Sequence, residues 1–281
     1  MNAVEVGAAE ADPVAPAPRP RSVRAARAAA VTLNRWSKPL LALGLAVLGW
    51  GLYVDISGIE SFVLPSPTSV AGYLIHNQPF LWTNATITLR EVAIAFGLSL
   101  GVGISLAVMI SRFRLLEEAL LPLLVVSQVV PTIAIAPLLV IWLGFGDKPK
   151  VAVAFLIAFF PIVINTLDGL QSVNPELVEM AQGLSASRWQ ILRKLAFPHA
   201  LPHLFAGARV SITLAVIGAV VGEFVAADQG LGFMILRGSA ELKSQEMFGA
   251  IIFLAAMGIV LFNLVRLLER VVIPWQERPV K

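Results

Sequence analysis

Six stretches of this chain carry no charged residue and little else that is polar: residues 39–54, 92–110, 119–143, 151–167, 210–222 and 247–265. A helix needs about 20 apolar residues to cross a hydrocarbon core about 30 Å thick, so each run is long enough, or nearly so, to be the centre of a span. Lipid offers the backbone no hydrogen-bond partner, which leaves helices as the way for such runs to cross. The expected fold class is therefore all-α, a polytopic membrane protein with about six transmembrane helices. Composition agrees. A chain of 281 residues that is 57% hydrophobic and 14% charged, with mean hydropathy +0.81, has more apolar surface than a soluble core can absorb. Cysteine is absent, which removes disulfides and thiolate metal sites from consideration.

Charge placement sets an expected orientation. With the amino terminus inside, all but five of the 21 Lys and Arg fall on the inner side, the five being Arg90, Lys148, Lys150, Arg237 and Lys243; by the positive-inside rule both termini are then cytoplasmic. Residues 1–30 are rich in Ala, Pro and Arg and have no apolar run, which reads as a disordered cytoplasmic tail ahead of a membrane-spanning domain over 31–281. The first apolar stretch begins only at Pro39, so the tail lacks the pattern of a signal peptide. Its dispersed arginines are ordinary charge beside a membrane and do not point to nucleic acid.

Between the runs, an amphipathic piece at 70–75 is expected to lie at the outer interface, with Trp82 as its anchor. Gly97, Gly101 and Ser105 form a small-residue stripe suited to close helix packing. Pro131 and Pro137 interrupt the third run and Pro161 the fourth, each freeing a carbonyl that needs another partner.

One segment, 174–203, is polar yet compatible with helix, and must sit in water between two spans. Pro175 suits a first helical turn capped by Asn174, with Glu176 and Glu179 near its positive end. Ser185 or Ser187 is placed to cap a second helix on which Trp189, Leu192 and Leu195 share a face and Arg188, Arg193 and Lys194 offer charge on others; Phe197 and Pro198 are expected to end it. Two short helices with a break between them make a knob suited to a groove in a soluble partner.

The spacing Glu179, Met180, Ala181, then Ser185, then Leu195, Phe197 and Pro198 resembles the EAA loop of ATP-binding-cassette importer permeases, E-A-A-x3-G-x9-I-x-L-P, with Ser185 where the glycine is expected and Gly183 two residues earlier. The resemblance runs from about Leu64 to Trp275 and is closest to the nitrate, sulfonate and taurine group, through VLPSPTSV, PTIAIAPLLVIWLGFG, FFPIVINT and VGEFVAADQGLGFMI. FFPIVINT and GEFVAADQGLG look most like the branch that carries the pyrimidine precursor of thiamine, or riboflavin. The resemblance implies a type I permease of the bacterial inner membrane that pairs with a second copy. Two ATPase subunits would grip the EAA-like knobs, and an extracytoplasmic substrate-binding protein would deliver the solute. Glu179, Ala181, Ser185, Arg188, Trp189, Leu195, Phe197 and Pro198 are then the residues expected to couple the permease to its ATPase.

No engine lies in the chain itself. There is no G-x-x-x-x-G-K-[ST] stretch; 144–150 lacks its spacing and its terminal hydroxyl, so ATP hydrolysis belongs to a separate subunit and no cofactor is expected. His199 and His203 lie four apart, but Pro202 stands between them and no H-E-x-x-H occurs, so no metal is expected. Residues 183–187 resemble a serine-hydrolase turn only superficially, because the second glycine is missing. In the fifth run only residues 210–222 are uncharged, about 20 Å of helix, so Arg209 and Glu223 bracket or enter the membrane, the arginine snorkelling inward and the glutamate needing a cavity or a partner. Glu223, Gln128, Asn165 and Phe160 are the candidates for lining a translocation path, each set against a packing or helix-bonding role. An ion-coupled secondary transporter, or a non-catalytic membrane subunit of another kind, is the alternative. The former more often shows inverted repeats and ionisable groups at midplane; an intramembrane enzyme would require a nucleophile with a nearby base, or a cluster of ligands within the spans, and the six runs contain no His, Asp, Glu or Cys.

Overall fold

The structure is a computed structural model that describes residues 21–275. Its described residues fall into two units that part between Ser57 and Gly58. In the first, α1 (Arg21–Ser57) is a single helix with Pro39 inside it and an apolar portion over Leu41–Ser57. Its first ten residues, 21–30, fall in the segment read as a tail; residues 1–20 lie outside the described residues.

Among the described residues the regular structure of the second unit is all helix. It opens with α2 (Pro67–His76), started by Pro67 and capped by Ser66, whose Oγ accepts from the Ser69 amide at 3.2 Å. This is the amphipathic piece read from the sequence. Val70 is buried beneath it, and Tyr73 packs with Leu81, Met234 and Ala250, where burial pushes its phenol above the usual range.

Then follow α3 (Gln78–Arg112), α4 (Arg114–Val129), α5 (Thr132–Leu143) and α6 (Asp147–Gln171), and, after a polar excursion, α9 (Phe197–Ala226), α10 (Leu231–Ala240) and α11 (Ser244–Val272). Among the described residues four helices are long and apolar enough to cross a membrane, or five if α4 and α5 count as one bent span. The third run is thus two helices. They meet at 98° because Pro131 holds the junction in extended backbone, whereas Pro137 is absorbed inside α5 and Pro161 inside α6.

The core is the packing of α3, α6 and α9. It is built from small residues, with Ala95, Ala154, Ala158, Ala208, Ala215 and Ala219 all buried, so the backbones approach closely. Ser211 of α9 donates to the Ala158 carbonyl and Ser99 of α3 to the Phe155 carbonyl at 3.4 Å, so α6 is bonded from both sides just ahead of Pro161. The expected stripe needs correction. Gly97 and Gly101 have nothing within 4 Å, and Ser105 is exposed. The buried stripe is Ala95, Ser99, Gly103 and Ala107, offset by two residues and hence turned to the opposite side of the helix. A side chain at Gly103 would meet Ile162 at 2.8 Å. Elsewhere the surface is strongly apolar, with Leu98, Ile141, Trp142, Ile259 and Leu264 exposed, as suits a hydrocarbon solvent.

Candidate functional site

The polar excursion between α6 and α9 consists of α7 (Pro175–Gly183) and α8 (Arg188–Ile191). Asn174 starts α7, its Oδ1 accepting from the Glu176 amide at 2.9 Å. Ser187 starts α8 through a reciprocal cap: its Oγ accepts from the Gln190 amide at 3.3 Å, and Gln190 Oε1 accepts from the Ser187 amide at 2.7 Å. Of the two serines offered as caps, the sequence therefore uses the second. Ser185 does something else. It takes φ +62°, the left-handed region that glycine enters freely, and so turns the chain between α7 and α8 at the position where the EAA pattern has its glycine.

The helix does not end at Phe197 and Pro198. From α8 it continues through a wide π turn, Leu192–Ala196, directly into α9. The turn separates residues expected on one face: Leu192 and Leu195 are half-buried and Trp189 is 66% exposed. Leu177, Met180 and Leu184 are also exposed on the excursion, as are Glu179 and Arg188, while Ala181, Phe197 and Pro198 are half-buried. At its base the two flanking helices touch, since a side chain on Gly169 of α6 would stand 2.9 Å from the Ala200 Cα of α9. Beside this contact His203 Nδ1 lies 2.9 Å from Asp168 Oδ2. Among the described residues no three His, Cys, Asp or Glu come together as a metal set.

A second constellation sits at the other end of α9. Glu223 is fully buried, and its carboxylate accepts from Thr88 Oγ1 of α3 at 2.6 Å and from the amides of Gly232 at 2.5 Å and Phe233 at 3.4 Å. Thr88 Oγ1 in turn accepts from the Leu231 amide at 2.9 Å, and Asn84 Oδ1 from the Gly230 amide at 2.7 Å. The first four amides of a helix have no partner within it; here four successive amides at the start of α10 are all taken by side chains of α3 and α9. A carboxylate at a helix amino end is also favoured by the helix dipole. Gly230, at φ +114°, is required there, since a side chain would meet the Glu223 carboxylate at 2.3 Å.

Next to this lies a charge ladder missed in the sequence. Lys150, in the first turn of α6, bonds the Glu91 carboxylate of α3 and lies 3.2 Å from Asp147, which reaches Arg90 at 3.5 Å. Glu91 and Lys150 are buried, and with Arg90, Asp147, Asp228 and Gln229 they line a cavity of about 220 Å³. Both residues immediately precede an uncharged run, at Val92 and Val151, so a search of the runs alone passes over them.

The path candidates do not converge. Asn165 is half-buried in α6 and donates to the Pro161 carbonyl at 2.8 Å. It meets α9 at Gly207, which is 16 residues, about 24 Å of helix, from Glu223. Gln128 is exposed near the end of α4, and Phe160 is half-buried in α6. Arg209 does not stand alone, since it pairs with Glu269 of α11.

The family profile described as "Binding-protein-dependent transport system inner membrane component" matches residues 99–278. The chain belongs to that family. Three relatives each cover more than four fifths of the chain. The riboflavin transport system permease protein RibX of Chloroflexus aurantiacus is 40% identical over 87% of this chain and 94% of its own. The formylaminopyrimidine transport permease protein ThiX of Halalkalibacterium halodurans is 34% identical over 86% and 96%, and the taurine transport system permease protein TauC of Escherichia coli 30% over 86% and 93%. In fold, the permease matches a chain of the MetNI methionine ABC transporter in an inward-facing conformation, with TM-score 0.63 over 70% of this chain and 97% of that one, at 18% identity. The protein is thus a multi-pass inner-membrane permease of an ABC importer for a small solute.

Proposed function

We propose that residues 174–203 are the element through which separate ATPase subunits drive this permease. The observation that carries the reading is the excursion itself: two capped helix starts, α7 and α8, ahead of the apolar length of α9, with Met180, Leu184 and Trp189 exposed, whose flanking helices touch at its base. Large apolar side chains on a polar segment are what a groove in a soluble partner would cover. Glu179, Arg188 and Trp189 are the contacts we assign to the ATPase, and Ala181, Ser185, Leu195, Phe197 and Pro198 shape the segment that presents them. Two ATPase subunits, a second permease copy and an extracytoplasmic binding protein complete the assembly, with both termini of the permease cytoplasmic. Closure of the ATPases would then move the excursion, and α6 and α9 with it, exposing the path on one side and then the other.

For the solute, the identities of 40% to the riboflavin permease and 34% to the formylaminopyrimidine permease stand above 30% for taurine and 27% for nitrate relatives. They favour a heteroaromatic solute over a small anion. Uptake of labelled riboflavin and of a labelled formylaminopyrimidine, each against labelled taurine, tests this in cells expressing the transporter; uptake of taurine alone would overturn it.

Coupling is tested by co-purification. Trp189→Ala, as an interface hot spot, should weaken ATPase binding by about 2 kcal/mol or more, and Glu179→Lys should reverse a contact charge. Both proteins should reach the membrane at normal abundance and recover little ATPase. Normal recovery with both would remove the assignment.

A further inference from the structure

Two prolines interrupt the same continuous helix, and the chain answers them differently. At Pro198 the helix is widened: over Leu192–Ala196 it forms a π turn, and the Phe197 amide donates to the Leu192 carbonyl five residues back. At Pro202 it stays α-helical. Each proline withholds an amide from the carbonyl four residues before it and crowds that carbonyl with its ring; opening the turn by one residue relieves the crowding. Packing decides where this happens. Around Pro202, Ala200 and Leu204 are buried, and Ala200 lies against Gly169 of α6, so the backbone is held. Ahead of Pro198, Arg193 and Lys194 are exposed and no residue of the π turn is buried.

The wide turn therefore lies between α8, which carries Arg188 and Trp189, and the firmly packed length of α9. We propose that Pro198 is a positioning residue for transport: it keeps the Leu192–Ala196 turn open as a joint at which α8 swings against α9 while the helix remains unbroken. This rests on the coupling reading above, for which load enters at α7 and α8. A turn with one residue too many can yield without losing its end-to-end continuity. A straight α-helix would fix α8 to α9 at one angle, whereas the open turn lets that angle change as the excursion moves the α6–α9 pair.

The chain has no cysteine, so paired labels are specific. Spin labels at Ile191→Cys on α8 and Val210→Cys on α9, in the permease assembled with its ATPase subunits in lipid, read the joint as the change in their distance on adding ATP. The distance should change in the otherwise native chain. Deleting Arg193 takes the surplus residue from the turn while keeping the phase of α8 and α9, and should reduce the change at least twofold with ATPase recovery unaltered. Pro198→Ala, which restores the missing amide, should reduce it in the same direction and decides the matter if the deletion variant does not insert. An unchanged ATP response in Pro198→Ala, or no response in the native background, overturns the joint. Failure of the coupling reading shows separately, as full ATPase recovery with Trp189→Ala and Glu179→Lys.

Discussion

The Lys150 ammonium of α6 bonds the Glu91 carboxylate of α3 where neither side chain is more than 4% exposed. Lysine in the first turn of a helix is opposed by the helix dipole, and burying two charges costs more than the pair returns unless the geometry is good. Its position is explained by its acceptors, Glu91 and Asp147. Lys150→Met should leave Glu91 buried without a cation and cost about 3–5 kcal/mol, read as a large fall in thermal stability in detergent. Adding Glu91→Leu to Lys150→Met should recover most of that loss. A double variant no better than the single would show that the two groups are not one unit.

The clamp on α10 makes a second prediction. Thr88→Val removes a donor to Glu223 and the acceptor of the Leu231 amide, and leaving buried polar groups unpaired costs about 1–3 kcal/mol each. Hydrogen exchange of the amides at 230–233 should accelerate while that of the α6–α9 core does not. Gly230→Ala should be worse than Thr88→Val, because it combines a strained backbone with a clash against the Glu223 carboxylate.

Ser185 stands where the EAA pattern has a glycine, and it takes a left-handed conformation that glycine enters freely. A left-handed residue with a side chain costs about 1–2 kcal/mol, so Ser185→Gly should slow hydrogen exchange across α7 and α8 and preserve transport. Ser185→Val, β-branched in the same conformation, should lower ATPase recovery. Equal exchange in the glycine variant would mean that the strain is absorbed elsewhere.

Orientation can be read with fusions. A reporter active only outside the cytoplasm should be active when fused after Gly146, in the turn before α6, and silent when fused after Ser185. The reverse pattern would invert the proposed topology.

Much of this was legible in one dimension because it depends on local rules. The Asn174 and Ser187 caps follow from side chains that reach their own backbone, and uncharged runs become helices because lipid leaves the backbone no other partner. What escaped depends on how helices are rotated against each other. Period alone offers two small-residue stripes on α3, and only packing on α6 selects Ala95, Ser99, Gly103 and Ala107. Glu91 and Lys150 were cut off by run boundaries, although opposite charges abutting the starts of two runs were a signal that could have been read. Helix α10 is too short to register as a span. The π turn is announced by Pro198, but the same residue at 202 leaves no such mark, so the proline alone does not decide.

The elbow at Pro131 limits what this molecule can be next to. The backbone of Val130 and Pro131 is not helical, and the residues around it, from Val125 to Pro131, are exposed on this chain. Acyl chains cannot satisfy open backbone at membrane depth; protein or water can. The face bearing the elbow is therefore one that lipid does not solvate: it is left for protein or water to cover, unlike the apolar faces around it.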